Sequence, residues 1–175
     1  MGDSLKEYIV SLETPKDLFV HELSDTLSAE RIIHKVLGEM VKETKMPDIK
    51  KAYEFHREET AQHIKNVEAA FVKIGEKPEK TVCFAAEGLK KEHDALGEEK
   101  PTGHVLELGL LGGAGKTEHY EIASYTLLVQ MAKDLGETEA ATLLKANLDQ
   151  ETAMSKQVEA FAKAVSKDAA KAAKS

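Results

Sequence analysis

The sequence predicts an all-α protein: four long helices packed as a bundle, with one short helix between the second and third of them. Three observations lead there. Ala, Leu, Glu and Lys dominate the composition, and all four are strong helix formers. Apolar residues recur at spacings of three and four, and no convincing period-two stretch competes. The only candidate strand, residues 105–111, lies in helical surroundings. The four prolines, Pro15, Pro47, Pro78 and Pro101, all stand where a helix could begin or a loop could run. At 175 residues, the chain suits one domain with a sizeable core.

The elements follow from caps and breakers. Thr14-Pro15 is an N-cap followed by proline in the first turn, and opens a helix that runs to about Thr44. Met46-Pro47-Asp48 opens a second that stops at Gly75. A short third spans about Thr81 to Leu96 and ends at Gly97. A loop from Glu98 to Gly103 contains Pro101. A fourth helix runs from His104 to Leu135, before Gly136. Thr138 caps a fifth, which runs to about Ser166. Residues 1–14 are then an N-terminal extension, 15–166 the bundle, and 167–175 a flexible Lys/Ala-rich tail. Tight turns pair helix one with two and helix four with five. The middle connection must travel the length of the bundle, and the short helix supplies it. Two antiparallel helical hairpins joined by one long crossover form the ferritin-like four-helix bundle.

Charge and composition exclude several function classes. Hydrophobic residues at 42% and charged residues at 31% describe a folded chain, not a disordered one. A net charge of −7 and no basic stripe argue against nucleic acid as a partner. The Lys-rich tail reads as a solvated helix end. A single cysteine, Cys83, cannot close an internal disulfide and reads as a buried thiol in a reducing compartment. No apolar run approaches the roughly 20 residues that span a bilayer. The opening MGDSLKEYIV has no signal-peptide pattern. A cytoplasmic protein without membrane contact is expected.

Polar residues interrupt the buried stripes. Helix one reads Phe19, Leu23, Thr26, Glu30, Ile33, Leu37, Met40. Helix two reads Ile49, Ala52, His56, Glu59, His63, Val67, Ala70, Ile74. Helix four reads Leu111, Ala114, Glu118, Glu121, Tyr125, Leu128, Ala132, Leu135. Helix five reads Leu144, Leu148, Glu151, Met154 or Ser155, Val158, Phe161, Val165. Every long helix therefore places a glutamate where an apolar residue belongs. These glutamates lie near the helix midpoints, which share one layer in an antiparallel bundle. Burying an unpaired carboxylate costs about several kcal/mol, and a cluster of them repel one another as well. Divalent cations remove that penalty, and oxygen with imidazole donors suits iron or manganese.

A lone glutamate on an apolar stripe is usually a misassigned face or a partner to a lysine. Four helices showing one at the same height make that reading much weaker. His56 and His63 flank Glu59 by one turn on each side, as ligands, as orienters of a ligand, or as core histidines. His34 reads as surface or as an outer neighbour of the site. His119 points off the stripe, and His21, His93 and His104 read as surface. Tyr125 is either packing or a hydrogen-bond donor to the site. The run Gly109 to Thr117 imitates a phosphate-binding loop. It has Leu110 where that motif needs glycine, and no strand precedes it. Its small residues instead suit close approach of two helices near the site entrance.

The stretches HELSDTLSAERII at 21–33, HREETAQH at 56–63, FAAEGL at 84–89, EHYEIASY at 118–125 and LLKANLDQET at 143–152 resemble the YciE/YciF family of ferritin-like bacterial stress proteins. The resemblance covers roughly residues 15 to 165. It implies a ferritin-like fold, a homodimer, a di-iron centre and a part in stress response, with ferroxidase activity among the roles ascribed to the family. Ferritin-like di-iron proteins usually carry Glu-x-x-His on two helices. Here Gln62 follows Glu59, and Met154 follows Glu151, at the histidine position. His56 and His63, both on helix two, are the alternatives, and Glu118 supplies what helix five lacks.

The leading expectation is thus a two-metal carboxylate protein, with iron first and manganese second, acting on dioxygen or peroxide as a ferroxidase. Glu30, Glu59, Glu121 and Glu151 are the expected core ligands, two of them bridging. Glu118 with His56 or His63 completes the set. The rival expectation is a non-enzymatic, dimeric helical scaffold with its acids protonated or bridged by water. Peroxide dismutation at two manganese ions is a third.

Overall fold

A computed structural model describes residues 12–174. Most of the expected N-terminal extension, residues 1–11, and the last tail residue, Ser175, lie outside the described residues. The rest is helical: α1 (Pro15–Glu43), α2 (Pro47–Ile74), α3 (Phe84–Glu98), α4 (Gly103–Asp134) and α5 (Thr138–Ala172). Helix α5 continues past the expected end at Ser166, and its last turns are mostly exposed.

The start of α1 is set by a reciprocal cap. Asp17 N–H donates to Thr14 Oγ1 at 3.1 Å, and Thr14 N–H donates to the Asp17 carboxylate at 2.8 Å. Pro15 occupies the first helical turn, where its missing N–H is harmless. Helix α2 ends at Gly75 with φ 71°, a left-handed conformation that a side chain would resist. Gly136, with φ 79°, turns the chain from α4 into α5 in the same way.

The long helices pack as a square, with α1 beside α2 and α4, and α5 beside α2 and α4. Helix α3 lies against α1 and α4. The crossover that delivers it is held to α1 by two serines. Ser24 Oγ accepts from Glu79 N–H and Ser28 Oγ accepts from Cys83 N–H, both at 3.0 Å. Helix α3 also approaches α4 closely. A Cβ on Gly109 would stand 2.6 Å from Leu96 Cδ2, so only glycine admits Leu96 there without a shift. The run from Gly109 to Thr117 lies wholly within α4. It is a helix contact, with no phosphate loop.

Two apolar clusters fill the square. One contains Phe19, Leu23, Val67, Phe71, Leu128 and Leu144; the other contains Ile33, Leu37, Ile49, Leu110, Ala114 and Val158. The expected α1 stripe is buried throughout. On α4 and α5 the stripes hold except that Leu135, Leu148 and Phe161 are only partly buried. One buried acid was not on any stripe. Glu107, 3% exposed, accepts from Thr44 Oγ1 and from Lys45 N–H, both at 2.7 Å. It ties the first turns of α4 to the α1–α2 connection. Glu107→Ala strands a buried hydroxyl and a backbone N–H. It should lower unfolding free energy by about 2–4 kcal/mol, read from urea denaturation. A loss below the error of the fit would mean the tie carries no stability.

Candidate metal centre

Between the two apolar clusters lies a polar layer. On α1, Glu30 separates Leu27 from Ile33. On α2, His56, Thr60 and His63 separate Tyr53 from Val67. On α4, Glu118 and Glu121 separate Ala114 from Tyr125. On α5, Asn147 and Glu151 separate Leu144 from Met154. All of these side chains are buried, and Glu30, His56, His63, Asn147 and Glu151 are 0% exposed. The helical period puts one polar step per turn at matching heights, so four helices meet in one layer.

The two histidines are aligned from outside. His56 Nδ1 lies 3.3 Å from Glu59 Oε2. His63 Nε2 lies 2.8 Å from the amide oxygen of Gln150. Both partners accept, so each of those nitrogens carries the proton and donates. In the neutral ring the opposite nitrogen then offers its lone pair inward. His56 Nε2 is 3.4 Å from Glu118 Oε1 and 3.5 Å from Glu151 Oε2. His63 Nδ1 is 2.8 Å from Glu151 Oε1 and 3.5 Å from Glu30 Oε1. Glu30 is steadied in turn by Tyr125, whose hydroxyl donates to Glu30 Oε1. Asn147 Nδ2 donates to the same hydroxyl at 2.9 Å, and Asn147 Oδ1 accepts from Asn66 at 2.7 Å.

The facing ligand atoms form two groups. Those of His56, Glu118, Glu121 and Glu151 all lie within 4.8 Å of one another, as do those of Glu30, His63 and Glu151. Glu151 belongs to both. Yet these atoms close few hydrogen bonds on each other, and the 2.8 Å contact of His63 Nδ1 with Glu151 Oε1 is an ion pair without hydrogen-bond alignment. Glu30 Oε2, His56 Nε2, His63 Nδ1, Glu118 Oε2, Glu121 Oε2 and both Glu151 oxygens are buried without a hydrogen-bond partner. Each such orphan costs about 1–3 kcal/mol. Hard oxygen and imidazole donors converging in this way could hold a metal ion.

Electrostatics point the same way. Burial drives the Glu121 pKa well above the ordinary carboxylate value, and Glu151, Glu30 and Glu118 push it further. Burial also raises Glu30 and Glu151, although His63 opposes the rise in both. Burial disfavours a charged imidazole, but at His63 the carboxylates of Glu151 and Glu30 outweigh it and raise the pKa to about 10. At His56, Glu118 and Glu59 likewise overcome burial and hold the pKa well above normal. The metal-free layer therefore retains protons that a cation would displace.

Of the residues singled out in the sequence, Glu30, His56, His63, Glu118, Glu121 and Glu151 come together. Glu59 does not join either group. Its side chain is 16% exposed at the margin and reaches only His56. Thr60 takes its place in the buried stripe and donates to the His56 carbonyl at 2.9 Å. Tyr125 is both packed and a donor to the site. His119 is exposed. His93 is less exposed than expected: its side chain is 10% exposed, with Nε2 3.3 Å from Glu43. A third cluster, Glu39, His93 and Asp94, is more exposed, and Lys90 already sits 2.7 Å from Asp94. Asn147 and Gln150 were missed. Asn147 carried the usable signal, since it lies one turn after Leu144 and one turn before Glu151.

Residues 14–171 match the family described as a domain of unknown function, DUF892. Protein YciF of Escherichia coli K12 is 35% identical over 145 residues, covering 82% of this chain and 87% of that one. The chain belongs to the DUF892 family. The crystal structure of the E. coli stress protein YciF superposes with a TM-score of 0.86 at 33% identity, covering 89% of this chain and 99% of that one. YcfI of Rhodopseudomonas palustris gives 0.81 at 32% identity, covering 87% and 97%. A Xanthomonas campestris protein at 22% identity and TM-score 0.72, covering 93% and 100%, shares the fold. The expected family and the ferritin-like helical fold are both shown. Among the described residues, no helix is long and apolar enough to cross a membrane.

The raised pKa values fix a pH dependence. The folded layer binds more protons than the unfolded chain once pH passes the ordinary glutamate value, so stability falls as pH rises. The His63 contribution has the same sign: complete below about 6.5, it is lost as pH rises through about 10. The urea midpoint of the metal-free chain should therefore be higher at pH 5.5 than at pH 9. An equal or higher midpoint at pH 9 would contradict these shifts.

Proposed function

We propose that the polar layer holds two redox-active metal ions, a di-iron or iron–manganese pair, and that the protein oxidises Fe(II) with dioxygen or peroxide in a stress response. The observation that carries this reading is the convergence of unpartnered buried oxygens and nitrogens on two positions with Glu151 between them. His56, Glu118 and Glu121 would complete one position, and Glu30 and His63 the other. When bound, such ions accept and donate single electrons and bind an oxidant.

The chain's own residues supply the geometry. Glu59 and Gln150 hold the two imidazoles with a lone pair facing inward. In this reading Glu59 orients His56 and is not itself a ligand. Tyr125 and Asn147 hold Glu30. The apolar clusters on both sides keep bulk water from the layer, which strengthens every charge interaction inside it. The stress role is supported by likeness to E. coli YciF, a stress protein. A homodimer in the cytoplasm belongs to the same reading. Light scattering at twice 19.2 kDa would check the assembly.

Metal binding should show as stability. Fe(II) or Mn(II) at a hundred times the dissociation constant adds about 2.7 kcal/mol by mass action. For a domain of this length that raises the melting temperature by roughly 5–10 °C. A flat response is what a metal-free scaffold would give. Glu151→Ala removes the shared ligand. Metal content should fall from about two ions per chain, the pair that oxygen and imidazole donors suit, to well below one, and Fe(II) oxidation should fall to the rate of buffer. Wild-type metal content in this variant would sink the assignment.

A further inference from the structure

Glu118 has a second surrounding. It belongs to the polar layer, and it also lines a hollow of about 180 Å³ between α1, α3 and α4. The other walls are largely apolar. Ile33, Leu37 and Met40 come from α1, Leu89 and Leu96 from α3, and Leu110 from α4. Apart from Glu118, which belongs to the polar layer, the charged lining residues Lys116, Glu92, Lys90 and His93 are already matched. Lys116 pairs with Glu92, Lys90 lies 2.7 Å from Asp94, and His93 lies 3.3 Å from Glu43. The Glu118 carboxylate repels an anion, and no unpaired cation lines the wall to attract one.

The hollow is kept open by the same small residues that imitated a phosphate loop. Gly113 lines it and contributes no side chain, and a Cβ there would meet nothing within 4 Å. Gly109, one turn earlier, seats Leu96 of α3. The hollow reaches solvent beside Lys116 and Glu92, whose side chains are exposed, while its inner walls are mainly apolar. An apolar cavity of about 150 Å³ stays dry and takes benzene.

We propose that this hollow binds a small, uncharged, apolar organic molecule of about one ring, and presents it to the metal layer at Glu118. The binding stands on the hollow alone; the presentation rests on the metal reading above.

Toluene and benzoate, alike in size and different in charge, test the class. In the metal-free full chain, toluene should shift the methyl resonances of Ile33, Leu37 and Leu110 saturably. Benzoate should bind at least about tenfold more weakly, because its carboxylate must be desolvated. Gly113→Leu and Leu89→Phe fill the hollow from opposite walls, and each should weaken toluene at least about tenfold. The first also replaces a helix-weakening glycine, so the fold should survive. Absence of saturable shifts, equal binding of benzoate, or undiminished binding in both variants would overturn the site. In the Mn(II)-loaded protein, toluene should alter the electron paramagnetic resonance spectrum. Binding without that change overturns presentation at Glu118. A chain that binds toluene but takes up no metal overturns the metal reading instead.

Discussion

Several carboxylates buried at one level of a helical bundle form the constraint on which the rest of this structure depends. Glu30, Glu118, Glu121 and Glu151 are each 2% exposed or less. Held as bare charges, they would each carry a desolvation penalty of about several kcal/mol and repel their neighbours. The two apolar clusters offset that from above and below. Side chains such as Phe19, Leu23, Phe71, Leu110 and Leu144 are fully buried, and each contributes about 1.5–3 kcal/mol. The bundle tolerates its polar layer because those clusters bracket it. The chemistry of the layer then decides whether the acids hold protons or cations.

The surrounding groups suit the second case. A layer designed only to neutralise itself would close hydrogen bonds among its own members. Here both histidines spend one nitrogen on an outer acceptor, and no hydrogen bond closes on the inner nitrogens or on the Glu151 oxygens, although His63 Nδ1 lies 2.8 Å from Glu151 Oε1. Tyr125 and Asn147 fix Glu30 from below. The outer partners set direction, and the inner atoms converge. The crossover adds a further asymmetry. Among the described residues helix α3 packs on α1 and α4 alone; Gly109 admits its Leu96, and Gly113 leaves space beneath it next to Glu118.

Much of this was legible in the sequence because helical periodicity is a strong signal. Caps at Thr14-Pro15, Gly75 and Gly136 placed the ends of the long helices closely. Glu30, Glu121 and Glu151 stood out because each broke an apolar stripe. Glu59 was misplaced for a physical reason. His56 and His63 are seven residues apart, and the stripe between them can pass through position 59 or 60. Thr60 is buried and Glu59 turns to the margin, a choice that periodicity alone cannot make. Gln150 gave no signal, since it lies off the stripe and reaches His63 only through tertiary contact. Glu107 was hidden because its partners, Thr44 and the Lys45 backbone, lie in a turn far away in sequence. The hollow left only its glycines as a trace, and those first read as a helix contact.

Anomalous X-ray scattering from crystals soaked in iron and manganese tests the central claim most directly. Data at both absorption edges should show two peaks inside the polar layer. Glu151 should lie between them, His56 beside one and His63 beside the other. Crystals that take up neither metal, with the acids closed onto one another or onto ordered water, would contradict it.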